Sequence, residues 1–175
     1  MIMETERLRL RELTPEDLDA LYAVLGDSDI MRHYPYTFDT ARVENWTRRN
    51  QQRYGVFGFG LWAVCRKDTG ELIGDCGITM QQIDRVILPE IGYHIRRDCQ
   101  RQGYAREAAR ACRDWIFEHT PFLEVYSYMK QDNLPFAAVA RANGMEYRGA
   151  FTDGEGETSV CYAIRRADWQ RLRKA

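Results

Sequence analysis

The chain lacks most of what would mark a special environment. Its 25 lysines and arginines face 26 aspartates and glutamates, for a net charge of −1. No excess of one sign advertises nucleic acid or anionic lipid as a partner. No apolar run approaches the roughly 20 residues that a spanning helix needs; the longest, FGFGLWAVC, covers 57–65. MIMETERLRLREL at the start alternates charge with leucine, unlike the apolar core of a secretion signal, so a cytoplasmic protein is expected. Linkers, low-complexity tracts and internal repeats are missing, and a single domain over 1–175 is expected. Cys65, Cys76, Cys99, Cys112 and Cys161 are odd in number and contain no C-x-x-C pair. They read as reduced thiols, not as a disulfide framework or a zinc site. His33, His94 and His119 have no metal-ligand spacing, so no metal is expected.

What is present is a foldable core. A hydrophobic content of 45% with 12% aromatics over 175 residues is enough to bury a core and argues against disorder. RLRLREL (7–13) alternates as a half-buried strand does. Thr14-Pro15-Glu16-Asp17 then has the chemistry of a helix start, with Leu18, Leu21, Tyr22 and Leu25 as its apolar stripe and Gly26 as its end. A second helix is expected from Asp39 or Thr40, carrying Val43, Trp46 and Tyr54. The aromatic stretch between them, IMRHYPYTF (30–38), reads either as a loop packed on the core or as one wall of a substrate pocket. FGLWAVCRK and LIGDCGITM form a hairpin around Asp68-Thr69-Gly70. A strand over 87–96 follows, then a helix over 104–119 with Ala105, Ala108, Cys112, Trp115 and Ile116 on one buried face. Strand 123–129, the short helix PFAAVARAN ended by Gly144, and strand 158–165 complete the pattern. The mixed order implies an α+β (mixed α/β) class and not a regular βαβ repeat.

The stretch DCQRQGYAREAARACRDW (98–115) packs amides and arginines ahead of a glycine that opens a helix. First-turn N–H groups lack partners within their own helix and carry partial positive charge. Gly103, having no Cβ, would let a polyanion approach them. Gln100, Arg101 and Gln102 add donors, which is the logic of phosphate binding at a helix start. A motif of this kind arises by chance in roughly one chain in five, and a solvated loop with a convenient glycine is the plain alternative.

Further motifs stand in order beside it. RLRLRELTPEDLDAL, WAVCRKDTGELIGDCGI, PEIGYHIRRDCQRQGYAREA and DNLPFAAVARANGMEYRG together resemble the GNAT superfamily of acyl-CoA-dependent N-acyltransferases. Within it they resemble the branch that includes the ribosomal-protein N-terminal acetyltransferases (RimJ/RimL-like). The resemblance implies a GNAT-like fold: a central, mostly antiparallel sheet with a splayed parallel strand pair, flanked by helices. It implies acetyl-CoA as the acyl donor and an amine as the acceptor. Gln100, Arg101, Gln102, Gly103, Tyr104 and Ala105 would hold the CoA pyrophosphate. The strand ending at Ile95 would offer main-chain hydrogen bonds to the pantetheine arm, with Arg97 just beyond. Asn133 would line the cofactor groove, or else cap the short helix.

The chain also departs from the family. A serine or tyrosine that others carry on the short helix is replaced by Phe136 and Ala140, and the usual Gly-Phe pair is Gly144-Met145. No thiolate-protonating side chain is visible there. A thiol with a pKa of about 8.5 still leaves tolerably as thiolate near neutrality. Glu90 is the first candidate base, with an exposed strand-end carboxylate as its plain alternative. His94, on the same strand face by period two, is the reserve. Tyr93 and Tyr128 are further candidates for contact with the acyl group or acceptor, or for the core. An α-amine is about one-tenth neutral at pH 7, whereas a lysine amine is about four parts in ten thousand neutral, so the need for a base depends on the acceptor. The expected activity is N-acetyl transfer, foremost to a protein or peptide α-amine. A small-molecule acetyltransferase and a CoA-binding module without turnover are the alternatives. The acidic DGEGE (153–157) would suit a polycation or be a solvated turn. The sequence itself names neither the acceptor nor the oligomeric state.

Overall fold

The computed structural model describes residues 1–174. The alternation at Leu8 and Leu10 yields strand Leu8–Arg11 (β2), preceded by the two-residue strand Met3–Glu4 (β1). Proline at the next helix start tightens Pro15–Asp17 into a 3-10 turn before helix Leu18–Leu25 (α1). Helix Thr40–Phe57 (α2) is capped by the Asp39 carboxylate, which accepts from the Arg42 N–H at 2.8 Å. Leu61–Arg66 (β3) and Leu72–Ile83 (β4) flank the expected turn, where Gly70 takes φ +75°. Val86–Ile95 (β5) leads to helix Tyr104–His119 (α3), followed by Glu124–Lys130 (β6) and Leu134–Ala142 (α4). Glu146–Thr152 (β7), Thr158–Arg165 (β8) and Arg166–Leu172 (α5) close the chain.

Hydrogen bonding orders the strands β1-β2-β3-β4-β5-β6-β8-β7. The β6–β8 pair runs antiparallel from Glu124↔Arg165 to Lys130↔Ser159. The parallel pair is β5–β6, registered at Glu90↔Tyr126. Among the described residues, a mixed sheet with one parallel pair and five helices matches the architecture that the resemblance implied.

Two compact units divide these elements. One comprises Met1–Gly77 with Gly92–Ala111, the other Ile78–Ile91 with the chain from Cys112 onward. In the first, Leu21, Val24 and Leu25 of α1 meet Met31, Phe38, Val43 and Ala63 in one apolar cluster. In the second, Phe117 packs on Trp169 with ring centroids 5.2 Å apart, and Val125, Ile116 and Ile164 are buried. Several expectations need correction. Tyr22 lies off the buried stripe of α1, because 3.6-residue spacing sets Val24 inward in its place. On α3, Ala109, Arg113 and Phe117 are buried, while Ala105 and Trp115 are only half-buried. Strand β7 and helix α5 were not foreseen.

One ion pair fixes the turn into α1. Arg11 donates to both carboxylate oxygens of Asp17 at 2.7 Å, and the Thr14 N–H donates to the same carboxylate at 2.9 Å. Burial opposes ionisation of Asp17, but these donors outweigh it and hold its pKa below the ordinary value. Because the folded-state pKa is depressed, the stabilisation is complete above about pH 4 and disappears as pH falls through the folded value. Asp17 is 8% exposed and Arg11 38%, so solvent screening discounts the pair. Asp17→Asn should cost about 1–2 kcal/mol at pH 7. Urea unfolding at pH 7 and pH 3 checks this: the gap between wild type and variant should shrink in acid, and an equal gap at both would refute it.

Candidate active site

The segment between β5 and α3 is built by its own side chains. Gln100 Nε2 donates to the Ile95 carbonyl at 2.9 Å, and Gln102 Nε2 donates to the Asp98 carbonyl at 2.9 Å. Arg101 takes φ +60° and Gly103 φ +85°. For arginine this left-handed backbone costs about 1–2 kcal/mol, and such strain concentrates at functional sites. Left-handed residues in a turn aim successive N–H groups to one side, which makes an anion-binding concavity. Among the described residues, a Cβ placed on Gly103 would meet Arg7 Nη2 alone, at 3.2 Å. Arg7 donates to the Gln102 carbonyl at 2.9 Å, pairs with Glu107 at 2.6 Å and lies 4.5 Å above the Tyr104 ring. Burial would raise the Glu107 pKa, but Thr5 and Arg7 donate to its carboxylate and bring it below the ordinary value.

Sequence reasoning missed Arg7, which looks like any polar position of an alternating strand. The structure sets this cation beside the glycine. Arg97 is otherwise engaged: its guanidinium bonds Asp27 at 2.5 and 2.9 Å and Asp29 at 2.6 Å.

His94, one residue before Ile95, stands in a bonded chain within the same unit. His94 Nδ1 lies 2.7 Å from Asp75 Oδ1, and Nε2 lies 3.0 Å from the Tyr34 hydroxyl. Trp46 Nε1 donates to the other Asp75 oxygen at 2.8 Å. The rings of Tyr34, Phe38, Trp46 and His94 pack together with centroids 5.5–6.4 Å apart. The aromatic stretch packs as the core-loop reading expected, with Met31 and Phe38 in the core, and Tyr34 reaches the histidine.

In the second unit, Glu90 is 8% exposed and lies in the middle of β5. That overturns the exposed strand-end reading, because the strand opens four residues earlier than its carboxylate suggests. The Thr79 hydroxyl donates to Glu90 at 3.4 Å, and Gln81 Nε2 donates to Thr79 at 3.1 Å. Burial first, then the Glu90 charge, pushes the Tyr128 phenol up to about 12. Burial first, then the same charge, brings the Cys161 thiol to about 11. Asn133 caps α4, its Oδ1 accepting from the Phe136 N–H at 3.4 Å. Asp153, Glu155 and Glu157 group their carboxylates, but around Lys130. Its ammonium lies 2.7 Å from Asp153 and 2.9 Å from Glu157 and also bonds Glu155.

A model of the acetyltransferase (GNAT) domain matches residues 7–146. The chain belongs to the GNAT acetyltransferase family. YkkB of Bacillus subtilis (strain 168), itself uncharacterised, is 37% identical over 144 residues, spanning 82% of this GNAT chain and 84% of its own. An acetyltransferase from Agrobacterium tumefaciens str. C58 superposes with a TM-score of 0.80 at 27% identity, over 93% of each chain. RimL, a ribosomal L7/L12 α-N-protein acetyltransferase in complex with coenzyme A, superposes with a TM-score of 0.78 at 19% identity. That match covers 94% of this chain and 97% of RimL, a likeness of fold alone. GNAT acetyltransferases draw the acyl group from acetyl-CoA, and the chain is accordingly an acyltransferase. The loop suits a diphosphate: a helix start, a left-handed turn, a missing Cβ and a guanidinium coincide there.

Proposed function

We propose that this GNAT domain acetylates the α-amine of a protein or peptide, and that Gln100, Arg101, Gln102, Gly103, Tyr104 and Ala105 hold the pyrophosphate of acetyl-CoA. Acetyl-CoA supplies the thioester; the chain supplies position, donors and proton acceptors. Ile95 belongs to the strand that approaches the acyl arm, although its carbonyl already accepts from Gln100. Arg97 would reach the cofactor only by giving up its pairs with Asp27 and Asp29. Asn133 serves the groove by capping α4. Glu90 and His94 are the two groups on β5 able to receive the acceptor's proton. The cysteines are not required as nucleophiles, since the amine attacks the thioester directly, and burial raises the thiols of Cys65, Cys99 and Cys161.

The observation carrying the acceptor class is the Lys130 cluster. Lys130 fills the centre of the acidic group and offsets one of its three charges, so a polyamine or an aminoglycoside would have to displace a built-in ammonium there. The fold likeness to RimL, whose acceptor is a protein α-amine, and the RimJ/RimL-like motif order support the same reading, as does a cytoplasmic setting for five cysteines that form no disulfide. Thiol release from acetyl-CoA tests it, with free-N-terminus peptides, N-terminally blocked lysine peptides, polyamines and aminoglycosides as acceptors. Peptide α-amines should give the highest kcat/KM. A preference for polyamines or aminoglycosides would replace this reading with a small-molecule enzyme. The second reading, a CoA-binding module, draws on the apolar Phe136 and Ala140. It requires tight acetyl-CoA binding with no release in any arm.

A further inference from the structure

We infer that Arg7, which lies outside the loop, selects an acyl donor that carries a diphosphate, by clamping the Gln102–Gly103 turn in the form that binds one. The inference rests on the loop reading above and adds a residue which that reading leaves out. Its basis is a knot between the chain just ahead of β2 and the start of α3, all within the first unit. Glu107 stands at its centre. One carboxylate oxygen accepts from the Thr5 hydroxyl at 2.5 Å and from the Arg7 N–H at 2.9 Å. The other accepts from Arg7 Nε at 2.7 Å and Nη2 at 2.6 Å. Arg7 Nη1 donates to the Gln102 carbonyl at 2.9 Å, and the guanidinium carbon lies 4.5 Å from the centre of the Tyr104 ring.

An ordinary surface ion pair contributes about 0–1 kcal/mol, because two long side chains must be held in one geometry. Here the geometry is held already. A ring packs under the guanidinium, a carboxylate takes one edge and a main-chain carbonyl takes another. The planar fork of arginine makes such a bridge, which the single point of a lysine ammonium cannot span. The bond to Gln102 carries the consequence. The peptide unit is planar and trans, so the Gln102 carbonyl and the Gly103 N–H point in opposite directions. Fixing that carbonyl on Arg7 therefore aims the Gly103 N–H away from the clamp. Among the described residues, the N–H groups of Gln102, Gly103, Tyr104 and Ala105 find no acceptor, whereas the Glu107 N–H bonds the Gly103 carbonyl at 3.0 Å. Neighbouring free donors, in a turn with φ +60° at Arg101 and +85° at Gly103, suit a group that offers several anionic oxygens at once.

The donor is where this shows. Acetyl-CoA presents its thioester on a pantetheine arm that ends in a diphosphate. Acetyl-pantetheine has the same thioester and the same arm without the diphosphate. A clamp on the turn acts on the first and is idle for the second. Thr5 and Glu107 act through Arg7, and Arg7 acts through the turn, so all three are positioning residues. The guanidinium, 42% exposed, also attracts the same anion. Glu107 offsets that charge at 2.6 Å, so the directional clamp outweighs the field.

The test is the ratio of kcat/KM for acetyl-CoA to that for acetyl-pantetheine, in wild type, Arg7→Gln and Arg7→Lys. Arg7→Gln should lower this ratio on the order of 30-fold, the scale of hydrogen bonds lost from a charged donor. Arg7→Lys keeps the charge but not the fork, and should still lie on the order of tenfold below wild type. A parallel loss with both donors, leaving the ratio as in wild type, is the mark of a merely structural residue and would overturn the inference. A wild-type ratio in Arg7→Lys would overturn it too, since a bare charge would then suffice. Calorimetric titration with coenzyme A reads the clamp without turnover: Arg7→Gln should raise Kd by the same factor, and an equal Kd counts against it. Where urea unfolding finds Arg7→Gln unfolded, Arg7→Lys carries both measurements. Gly103→Glu separates the two readings. Unchanged coenzyme A affinity in folded Gly103→Glu rejects the loop reading itself, whereas a loss there beside undiminished affinity in Arg7→Gln rejects only the clamp.

Discussion

Gly103→Glu should raise the Kd for acetyl-CoA on the order of 1,000-fold, about 4 kcal/mol. Three effects combine. At φ +85° any side chain pays the left-handed penalty of about 1–2 kcal/mol. The new Cβ arrives 3.2 Å from Arg7 Nη2, so the carboxylate beyond it competes with phosphate for that guanidinium. It also adds like charge where a polyanion must sit. Gly103→Ala separates these contributions: it keeps the backbone cost without the charge and should lose about tenfold. Calorimetric titration with acetyl-CoA reads both. An unchanged Kd in folded Gly103→Glu would remove the loop from the pyrophosphate site.

Gly74→Ala should be the most damaging methyl group that can be added near His94. The Cβ would fall 2.0 Å from the His94 carbonyl oxygen and 3.1 Å from Ile95 Cα. Backbone cannot swing aside as a side chain can, so β4 and this end of β5 must separate. The expected cost is about 3 kcal/mol, a fall in Tm of about 6–12 °C. The same separation pulls His94 from Asp75, the next residue on β4, so acetyl transfer should fall beyond what unfolding explains. Gly77→Ala is the control: its Cβ would strike the Gly60 carbonyl at 1.9 Å, a similar steric insult placed on β3. Assays at 15 °C, where both variants are folded, should show lower kcat for Gly74→Ala than for Gly77→Ala. Equal kcat would mean that the close strand approach does not position the histidine.

The parts of the fold that were legible in the sequence are those with a strong period and clear ends. Helix 104–119 is one: a glycine opens it and apolar residues recur along it, and α3 occupies that span. Strand β7 left almost no trace, because EYRGAFT lies at the sheet edge with mostly exposed side chains and so needs no alternation. Helix α5 is seven residues long and held by the single buried anchor Trp169, too short for a period to register. At the site, Glu90 and His94 were singled out from their strand, but their partners were not. Asp75 sits in LIGDCGI, where an acid between glycines in an apolar strand was a readable sign of a buried, partnered charge. Tyr34 reaches His94 only through tertiary folding across 60 positions of chain, and pattern along one segment cannot reveal that.

The burial of all five cysteines makes the protein quiet towards thiol reagents. Cys161, at about 11, carries almost no thiolate at neutral pH, and Cys65 and Cys99 are shifted the same way. A disulfide dye added during turnover therefore reports coenzyme A against a low protein background. The same quietness opens a route to spectroscopy. One cysteine introduced at an exposed position such as Arg101 would be the fastest-labelling thiol in the chain, and a dye there would sit at the mouth of the Gly103 loop without deletion of the native five.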